Sequence, residues 1–151
     1  MTPSPFPPAS PTPPPLEGLD HLLLVVADPE AAADWYGRVF GAIAVAMPTP
    51  NGPRIQLDLP GARISLLREG RQSMPPLPNP VIGSGHFCLL TPAPLADWLA
   101  HFAALGVDVA DGPAPRDGRV GRLESVYVYD PDGNMVEVAR QADRIRPAGA
   151  P

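Results

Sequence analysis

The sequence has no lysine, a single cysteine and no long apolar run. Its eleven basic residues are all arginines, and sixteen acidic residues give a net charge of −5 at pH 7. An acidic chain is a poor ligand for polyanions, which argues against nucleic acid as a partner. The one cysteine, Cys88, excludes an intrachain disulfide and suits a reducing compartment. No apolar run reaches the roughly 20 residues of a membrane span, so we expect no membrane partner.

The N-terminal segment lacks the features of both a secretory signal and a folded element. Residues 1–15 contain eight prolines and one large apolar residue, Phe6. Proline fixes φ and removes a backbone donor, so this segment can neither form a helix nor bury much surface. It also has no charged start followed by a continuous apolar stretch. We therefore expect a disordered proline-rich tail over residues 1–16 and a cytoplasmic protein.

The rest of the chain contains one structural unit twice. A histidine-led apolar strand, an amphipathic helix and a glycine run from His21 to Gly41 and again from His86 to Gly106, 65 residues later. A chain of 151 residues buries a single core, so both copies must belong to one fold. The expected bounds are residues 17–141 for the domain, about 17–69 and 84–141 for its two modules, 70–83 for the linker between them and 142–151 for a C-terminal tail.

The first module predicts the element order β-α-β-β-β. Asp28 followed by Pro29 is a strong helix start, since the side-chain oxygen caps free N–H groups and proline suits the first turn. An apolar stripe at helical spacing follows, and Gly41 ends the helix. The strands are expected at residues 19–26, 42–47, 54–59 and 63–68.

The second module predicts the same order, so the fold class is α+β with two tandem βαβββ modules. Its helix is expected at residues 95–105, ending at Gly106, and a tight hairpin at residues 130–134. A glycine- and arginine-containing segment at residues 111–122 is expected to be a mobile loop. The remaining strands are expected at residues 84–91, 107–110, 123–129 and 135–139.

Three ionisable side chains share one face of otherwise apolar strands. Because side chains alternate across a strand, His21, His86 and Glu137 fall opposite the apolar residues that pack on the helices. Such groups are costly to bury unless something satisfies them. Two imidazoles and a carboxylate with open coordination positions suit Fe(II), Mn(II), Zn(II) or Ni(II), so we expect one divalent metal ion per site. Cys88 falls on the same face, where it would line the substrate site.

The motifs at both ends of the domain resemble the vicinal oxygen chelate superfamily. This superfamily comprises glyoxalases, bleomycin-resistance-type binding proteins, fosfomycin-resistance enzymes and extradiol dioxygenases. The resemblance covers about residues 17–141, and the second half is similar to a small glyoxalase-domain branch. It implies paired βαβββ modules whose sheets each half-wrap a metal cup. The motifs are Leu19-Asp20-His21-Leu22, Trp35-Tyr36, Val39-Phe40-Gly41 and Asp130-Pro131-Asp132-Gly133-Asn134 ahead of Glu137.

The resemblance also implies roles for single residues. His21, His86 and Glu137 match metal ligands of the superfamily. Ser65 stands where glyoxalases carry a glutamate, so it could only position water or substrate, and proton transfer between two opposed carboxylates loses one partner. Tyr127 matches a tyrosine that hydrogen-bonds substrate in extradiol dioxygenases, whose acid/base histidines have no counterpart here.

Three functions compete on this basis. The ligand set favours a divalent-metal-dependent enzyme of extradiol-dioxygenase type, acting on a small molecule with two neighbouring oxygens. In it Tyr127 and Glu137 would be catalytic, and Arg116 would contact a carboxylate or phosphate of the substrate. The alternatives are a glyoxalase-like lyase or isomerase and a non-catalytic drug-binding protein. Family analogy implies a homodimer, in which a site could combine His21 of one chain with His86 and Glu137 of the other.

Overall fold

The computed structural model describes residues 13–144, which form two four-stranded sheets and two α-helices. Most of the expected tails, at residues 1–16 and 142–151, lies outside the described residues. Neither helix in this part of the chain is long and apolar enough to cross a membrane. The elements are β1 (His21–Val26), α1 (Pro29–Phe40), β2 (Ile43–Met47), β3 (Arg54–Leu59), β4 (Ala62–Arg68), β5 (His86–Leu90), α2 (Leu95–Leu105), β6 (Val109–Gly118), β7 (Gly121–Tyr129), β8 (Met135–Gln141) and a short 3-10 helix (Ala142–Arg144).

The two sheets repeat one topology, which confirms the tandem βαβββ prediction. Sheet A has the order β1-β4-β3-β2, and sheet B has the order β5-β8-β7-β6. In each sheet the first strand of the module pairs in parallel with the last, and the other neighbours are antiparallel. The parallel pairs are possible because a helix connection returns the chain across the sheet.

The helix ends follow the local sequence signals. The Asp28 side chain accepts hydrogen bonds from the backbone N–H groups of Glu30 and Ala31, at 3.1 and 3.4 Å, and caps α1. Gly41 and Gly106 adopt φ values of 69° and 67° just after α1 and α2. Only glycine enters this left-handed region at little cost, so both helices end there.

Both helices lie between the two sheets. α1 packs on β2, β3 and β4, α2 packs on β6 and β8, and the helices contact each other. Their facing aromatic rings join the two modules, with ring centroids 5.8 Å apart for Phe40 and Trp98 and 6.4 Å apart for Tyr36 and Phe87. One continuous core results, containing residues from both helices and both sheets. The sheet faces that do not pack on the helices therefore point away from each other.

The prediction of a mobile loop at residues 111–122 is wrong. This segment instead forms most of β6, the turn and the start of β7, paired from Val109 to the Gly118–Gly121 turn with two register shifts. The two prolines of this segment, Pro113 and Pro115, lie on β6, which is an edge strand of sheet B. An edge strand needs hydrogen bonds on one side only, so it tolerates residues without an N–H.

Candidate functional site

The outward face of each sheet carries the polar side chains that the sequence singled out. On β1, Leu24 and Val26 belong to the core, while His21 is exposed. On β8, Val136 and Val138 belong to the core, which places Glu137 on the opposite face. The alternation inferred from the sequence is therefore the one observed, and the outward faces are where a site would form.

Sheet B brings two of the three expected ligands together. The Nε2 atom of His86 lies 3.5 Å from an Oε2 oxygen of Glu137, and only 8% of Glu137 is exposed. In the ladder, Glu137 pairs with Cys88 on one side and with Tyr127 on the other. A carboxylate with this little exposure is held in place by its neighbours and presents its oxygens towards the outward face.

Tyr127 is oriented by an arginine from the edge strand. The Nε–H of Arg116 donates to the Tyr127 hydroxyl at 2.9 Å, and its guanidinium also lies 5.2 Å from the centre of the tyrosine ring. Asp111 accepts a further hydrogen bond from Arg116 at 2.6 Å, and the carbonyl of Pro115 accepts another at 2.9 Å. Three of the five N–H groups of Arg116 are thus used, which leaves two for an anionic ligand.

Burial and the charge of Glu137 determine how the neighbouring hydroxyl and thiol behave. Burial raises the pKa of Tyr127, with a further increase from Glu137, and the hydrogen bond from Arg116 opposes this change. Partial burial, followed by the negative charge of Glu137, raises the pKa of Cys88 to about 12. The thiol therefore stays protonated at neutral pH. Because the thiolate is the reactive form, Cys88 is suited to lining the site and not to nucleophilic attack.

Sheet A carries the other half of the expected set. The Nδ1 atom of His21 lies 2.6 Å from Asp20, which leaves Nε2 directed elsewhere. Ser65 on β4 pairs with Leu23 on β1, and Glu137 on β8 pairs with Cys88 on β5. Because Cys88 stands 65 residues after Leu23, which is the spacing of the repeat, Ser65 has the position in sheet A that Glu137 has in sheet B. Only 3% of Ser65 is exposed, and its hydroxyl has no hydrogen-bond partner among the described residues.

Within one chain, His21 does not meet His86 and Glu137. The residues from 13 to 144 contain no group of three His, Cys, Asp or Glu side chains close enough to hold a metal ion. The physical reason is the helix layer, which separates the sheets and turns their polar faces in opposite directions. The described domain therefore presents two candidate half-sites, one with His21 and Ser65 and one with His86 and Glu137.

The half-site on sheet B fits a divalent metal ion. Two donors that are each about 2.1 Å from one ion, at angles between square and tetrahedral, lie about 3.0 to 3.4 Å apart. The separation of 3.5 Å between His86 and Glu137 is close to that range. An imidazole and a carboxylate are also ligands that Fe, Mn, Ni and Zn accept. A further histidine from outside this half-site would complete a facial triad.

Two carboxylates at the candidate half-sites were not identified from the sequence. Asp20 contacts His21, and it could have been noticed as the residue directly before it. Asp111 contacts Arg116, but this pairing depends on the irregular β6 register, which no sequence pattern signals. The third histidine, His101, is half-buried on α2, where its Nε2 lies 2.9 Å from the carbonyl oxygen of Val39.

Comparison with known proteins gives consistent relatives. The chain is 30% identical to the virulence protein STM3117 of Salmonella typhimurium over 125 residues, which is 83% of this chain and 85% of that protein. An integron cassette protein from the mobile metagenome of V. cholerae has a similar structure, with a TM-score of 0.79, 34% identity, and coverage of 85% of this chain and 98% of that one. Lactoylglutathione lyase from Agrobacterium tumefaciens gives a TM-score of 0.63 at 28% identity, with coverage of 83% and 95%.

The family model that matches this sequence covers almost the whole described domain. It extends over residues 18–138, from just before β1 into β8, and so includes both half-sites. The resemblance drawn from the terminal motifs is thereby confirmed. The chain belongs to the Glyoxalase/Bleomycin resistance protein/Dioxygenase superfamily.

Proposed function

We propose that this protein is a divalent-metal-dependent enzyme of extradiol-dioxygenase type, acting on a small molecule with two neighbouring oxygens. The observation that carries the proposal is the 3.5 Å approach of His86 to Glu137 on the outward face of sheet B. Tyr127, which the resemblance assigns to substrate binding, pairs with Glu137 in the same ladder. This side of the sheet thus groups two possible metal donors, His86 and Glu137, with the Tyr127 hydroxyl and the guanidinium group of Arg116.

We further propose that the active form is a homodimer in which sheet A of one chain faces sheet B of the other. His21 of one copy would then join His86 and Glu137 of the second copy. Large apolar side chains on the outward faces support such an interface, because 67% of Ile43, 56% of Leu90 and 52% of Tyr129 are exposed. Exposed apolar surface of this kind is typical of protein contacts.

Each residue around this site has a role that its contacts support. Asp20 would hold the His21 ring through Nδ1, so that Nε2 is the donor atom. Tyr127, kept protonated, would donate a hydrogen bond to a substrate oxygen, and Arg116 keeps its hydroxyl in position. The free N–H groups of Arg116 would contact a substrate carboxylate or phosphate. The bound metal would act as a Lewis acid that stabilises negative charge on the two substrate oxygens.

Two further side chains would shape the cup. Cys88, as a neutral thiol beside Glu137, would form part of the wall against which a flat substrate lies. Ser65 would offer its unpartnered hydroxyl from the opposite half-site to a water molecule or a substrate oxygen. Neither residue would ligate the metal in this scheme.

A lactoylglutathione lyase among the similar structures makes a lyase or isomerase the second candidate. Moving a proton between two substrate carbons is easiest with two opposed bases. Ser65 occupies the position equivalent to Glu137 and cannot serve as the second base. This substitution is the reason for ranking the oxygenase first. A metal-free binding protein is the third candidate, and the experiment below distinguishes all three.

The test measures metal content and turnover together. The protein is purified with Fe, Mn, Ni or Zn offered in turn, and bound metal is counted for the wild type and for His21→Ala, His86→Ala and Glu137→Gln. His101→Ala is the matched control, because this histidine lies on α2, away from both half-sites. We expect the three site variants to lose metal and the control to keep it. Oxygen uptake with catechols would support the oxygenase, and turnover of a thiohemiacetal with Ni or Zn would support the lyase.

Complementation tests whether the site is shared between chains. His21→Ala and His86→Ala chains are co-expressed, so that mixed dimers form. A mixed dimer regains one intact site, so about one quarter of the wild-type metal content should return, although each variant alone has none. If the mixture stays empty, the shared site is wrong. If the wild type takes up no metal under any condition, the enzyme proposal is wrong and the binding protein is preferred.

A further inference from the structure

A cavity lies at the end of sheet A away from His21, where β1 and β4 end. Its volume is about 560 Å³, and it is bounded by the loop between β2 and β3 and by the loop after β4. Cavities that bind small molecules range from about 300 to 1,000 Å³. The size is therefore that of a ligand site, and none of the candidate metal ligands or substrate-contacting residues named above lines it.

Three arginines line this cavity, and two of them have no counter-charge. Arg68 is paired with two carboxylates, Glu30 at 2.7 Å and Asp28 at 3.6 Å, and it also donates to the backbone carbonyl of Ala27. The side chains of Arg54 and Arg71 have no carboxylate partner and no hydrogen-bond acceptor within residues 13–144. A protein with a net charge of −5 thus concentrates uncompensated positive charge in one concave place.

Ordered turns hold both free arginines at the cavity. The backbone N–H of Arg71 donates to the carbonyl of Arg68 at 3.0 Å, and Gly70 takes a φ of 77° within this turn. Arg54 opens β3 and pairs with Met47 at the end of β2. In the turn between them, the Thr49 hydroxyl donates to the carbonyl of Gly52 at 2.5 Å. The two guanidinium groups therefore start from fixed backbone positions on either side of the cavity.

This cavity lies away from His21, the metal donor expected on sheet A, although it comes within one residue of Ser65 on β4. His21 lies beside Arg63 in the parallel ladder, whereas the nearest residue of β4 that lines the cavity is Leu66, three residues further along. Three residues of a strand span about 10 Å. An anion held by Arg54 and Arg71 would thus not contact the His21 ring.

We propose that the cavity at the end of sheet A binds a small oxyanion, a phosphate or carboxylate group of a soluble metabolite, through Arg54 and Arg71. Guanidinium groups bind such oxyanions with paired hydrogen bonds, which makes arginine the preferred residue for them. The bound anion would also relieve the repulsion among the cavity's arginines. The proposal does not depend on the metal site, since it uses other residues, at the end of sheet A away from His21.

Calorimetry of the full-length protein with inorganic phosphate and with succinate tests the proposal. We expect saturable binding of at least one, and a Tm about 5 to 10 °C higher at a concentration near 100 times the Kd. Arg54→Ala and Arg71→Ala should each weaken binding about tenfold or more. Arg119→Ala is the control, because it removes an exposed arginine on the β6–β7 turn, outside the cavity. Arg54→Lys keeps the charge and should retain part of the affinity.

The outcomes separate the ligand class and the site. Tighter binding of phosphate identifies a phosphorylated ligand, and tighter binding of succinate a carboxylate. His86→Ala should leave anion binding unchanged, while Arg54→Ala should keep the wild-type metal content, so the failure of one site does not imply failure of the other. The proposal is overturned if neither anion binds saturably, or if Arg119→Ala weakens binding as much as Arg54→Ala does.

Discussion

The buried hydrogen bond from Tyr36 to Asp130 connects the two modules, and its removal should destabilise the whole domain. Tyr36 lies on α1 in the first module and is fully buried, while Asp130 follows β7 in the second. The Tyr36 hydroxyl donates to Oδ2 of Asp130 at 2.8 Å. Asp130 also accepts hydrogen bonds from the backbone N–H groups of Asp132 and Asn134 and from the Asn134 side chain.

Tyr36→Phe removes one hydrogen bond to a buried carboxylate and leaves the ring packing intact. Hydrogen bonds to charged groups contribute about 1.5 to 3 kcal/mol, so we expect the free energy of unfolding to fall by that amount at pH 7. Urea unfolding at a fixed protein concentration measures the change, since self-association would make stability depend on concentration. Tyr129→Phe is the control, because 52% of Tyr129 is exposed, and it should change stability by less than about 0.5 kcal/mol.

Alkaline pH adds a second signature to this variant. Burial, followed by the negative charge of Asp130, raises the pKa of Tyr36 far above its usual value of 10.0. The unfolded chain therefore loses this proton above about pH 10 while the folded chain keeps it, and the stabilisation present below pH 10 is lost as pH rises. By pH 11 the wild type should lose about 1.4 kcal/mol that Tyr36→Phe does not lose, so the gap between them narrows. A gap that stays constant from pH 7 to 11 would refute this reasoning.

Four further substitutions, one of them a control, test the packing that positions the outward faces. Gly112→Ala should lower the free energy of unfolding by about 2 kcal/mol or more, because φ is +92° and a Cβ would collide with a backbone carbonyl of β7. Gly121→Ala is its control and should lower it by only about 1 kcal/mol, because φ is +112° but the space around the residue is open. Asn134→Ala should cost about 2 to 4 kcal/mol in urea unfolding, because the backbone N–H of Gly85 loses its acceptor at 2.9 Å. Phe102→Ala should lower stability by about 3 to 5 kcal/mol by leaving a cavity between the helices, and a change below 1 kcal/mol would contradict its full burial.

Local signals in the sequence were sufficient for most of the fold. The α2 bounds of Leu95–Leu105 agree with the prediction because Gly106 supplies an unambiguous end, and the alternation on β1 and β8 was read correctly. Only the first two residues of β6 fell within a predicted strand, at residues 107–110, and the rest was assigned to a loop; Pro113 and Pro115 lie in that part. Their tolerance depends on the strand having a neighbour on one side only, and this property belongs to the sheet order and not to the segment itself.

For the candidate site, too, local sequence patterns predict some features, while others depend on contacts between residues far apart in the chain. Alternation alone placed His86 and Glu137 on one face, and the ladder brings them within 3.5 Å. Whether His21 joins them depends on how two sheets are arranged around the helices. That arrangement is set by core contacts such as Phe40 with Trp98, which link residues 58 positions apart. No periodicity within a strand carries this information.

The difference between Ser65 and Glu137 decides how many coordination positions of a bound metal ion the protein would leave open. With a glutamate in both positions, four protein donors would surround the ion and leave two of six octahedral positions. With serine at residue 65, the proposed donors would be His21, His86 and Glu137 alone, and three positions would stay open. A substrate with two neighbouring oxygens takes two of these, and one remains for a second small reactant. An isomerase needs no second reactant but does need a second base, whereas an oxygenase needs the position and can function without that base. The serine at position 65, opposite a carboxylate in the other module, is therefore the reason that the proposed function is an oxygenase and not an isomerase.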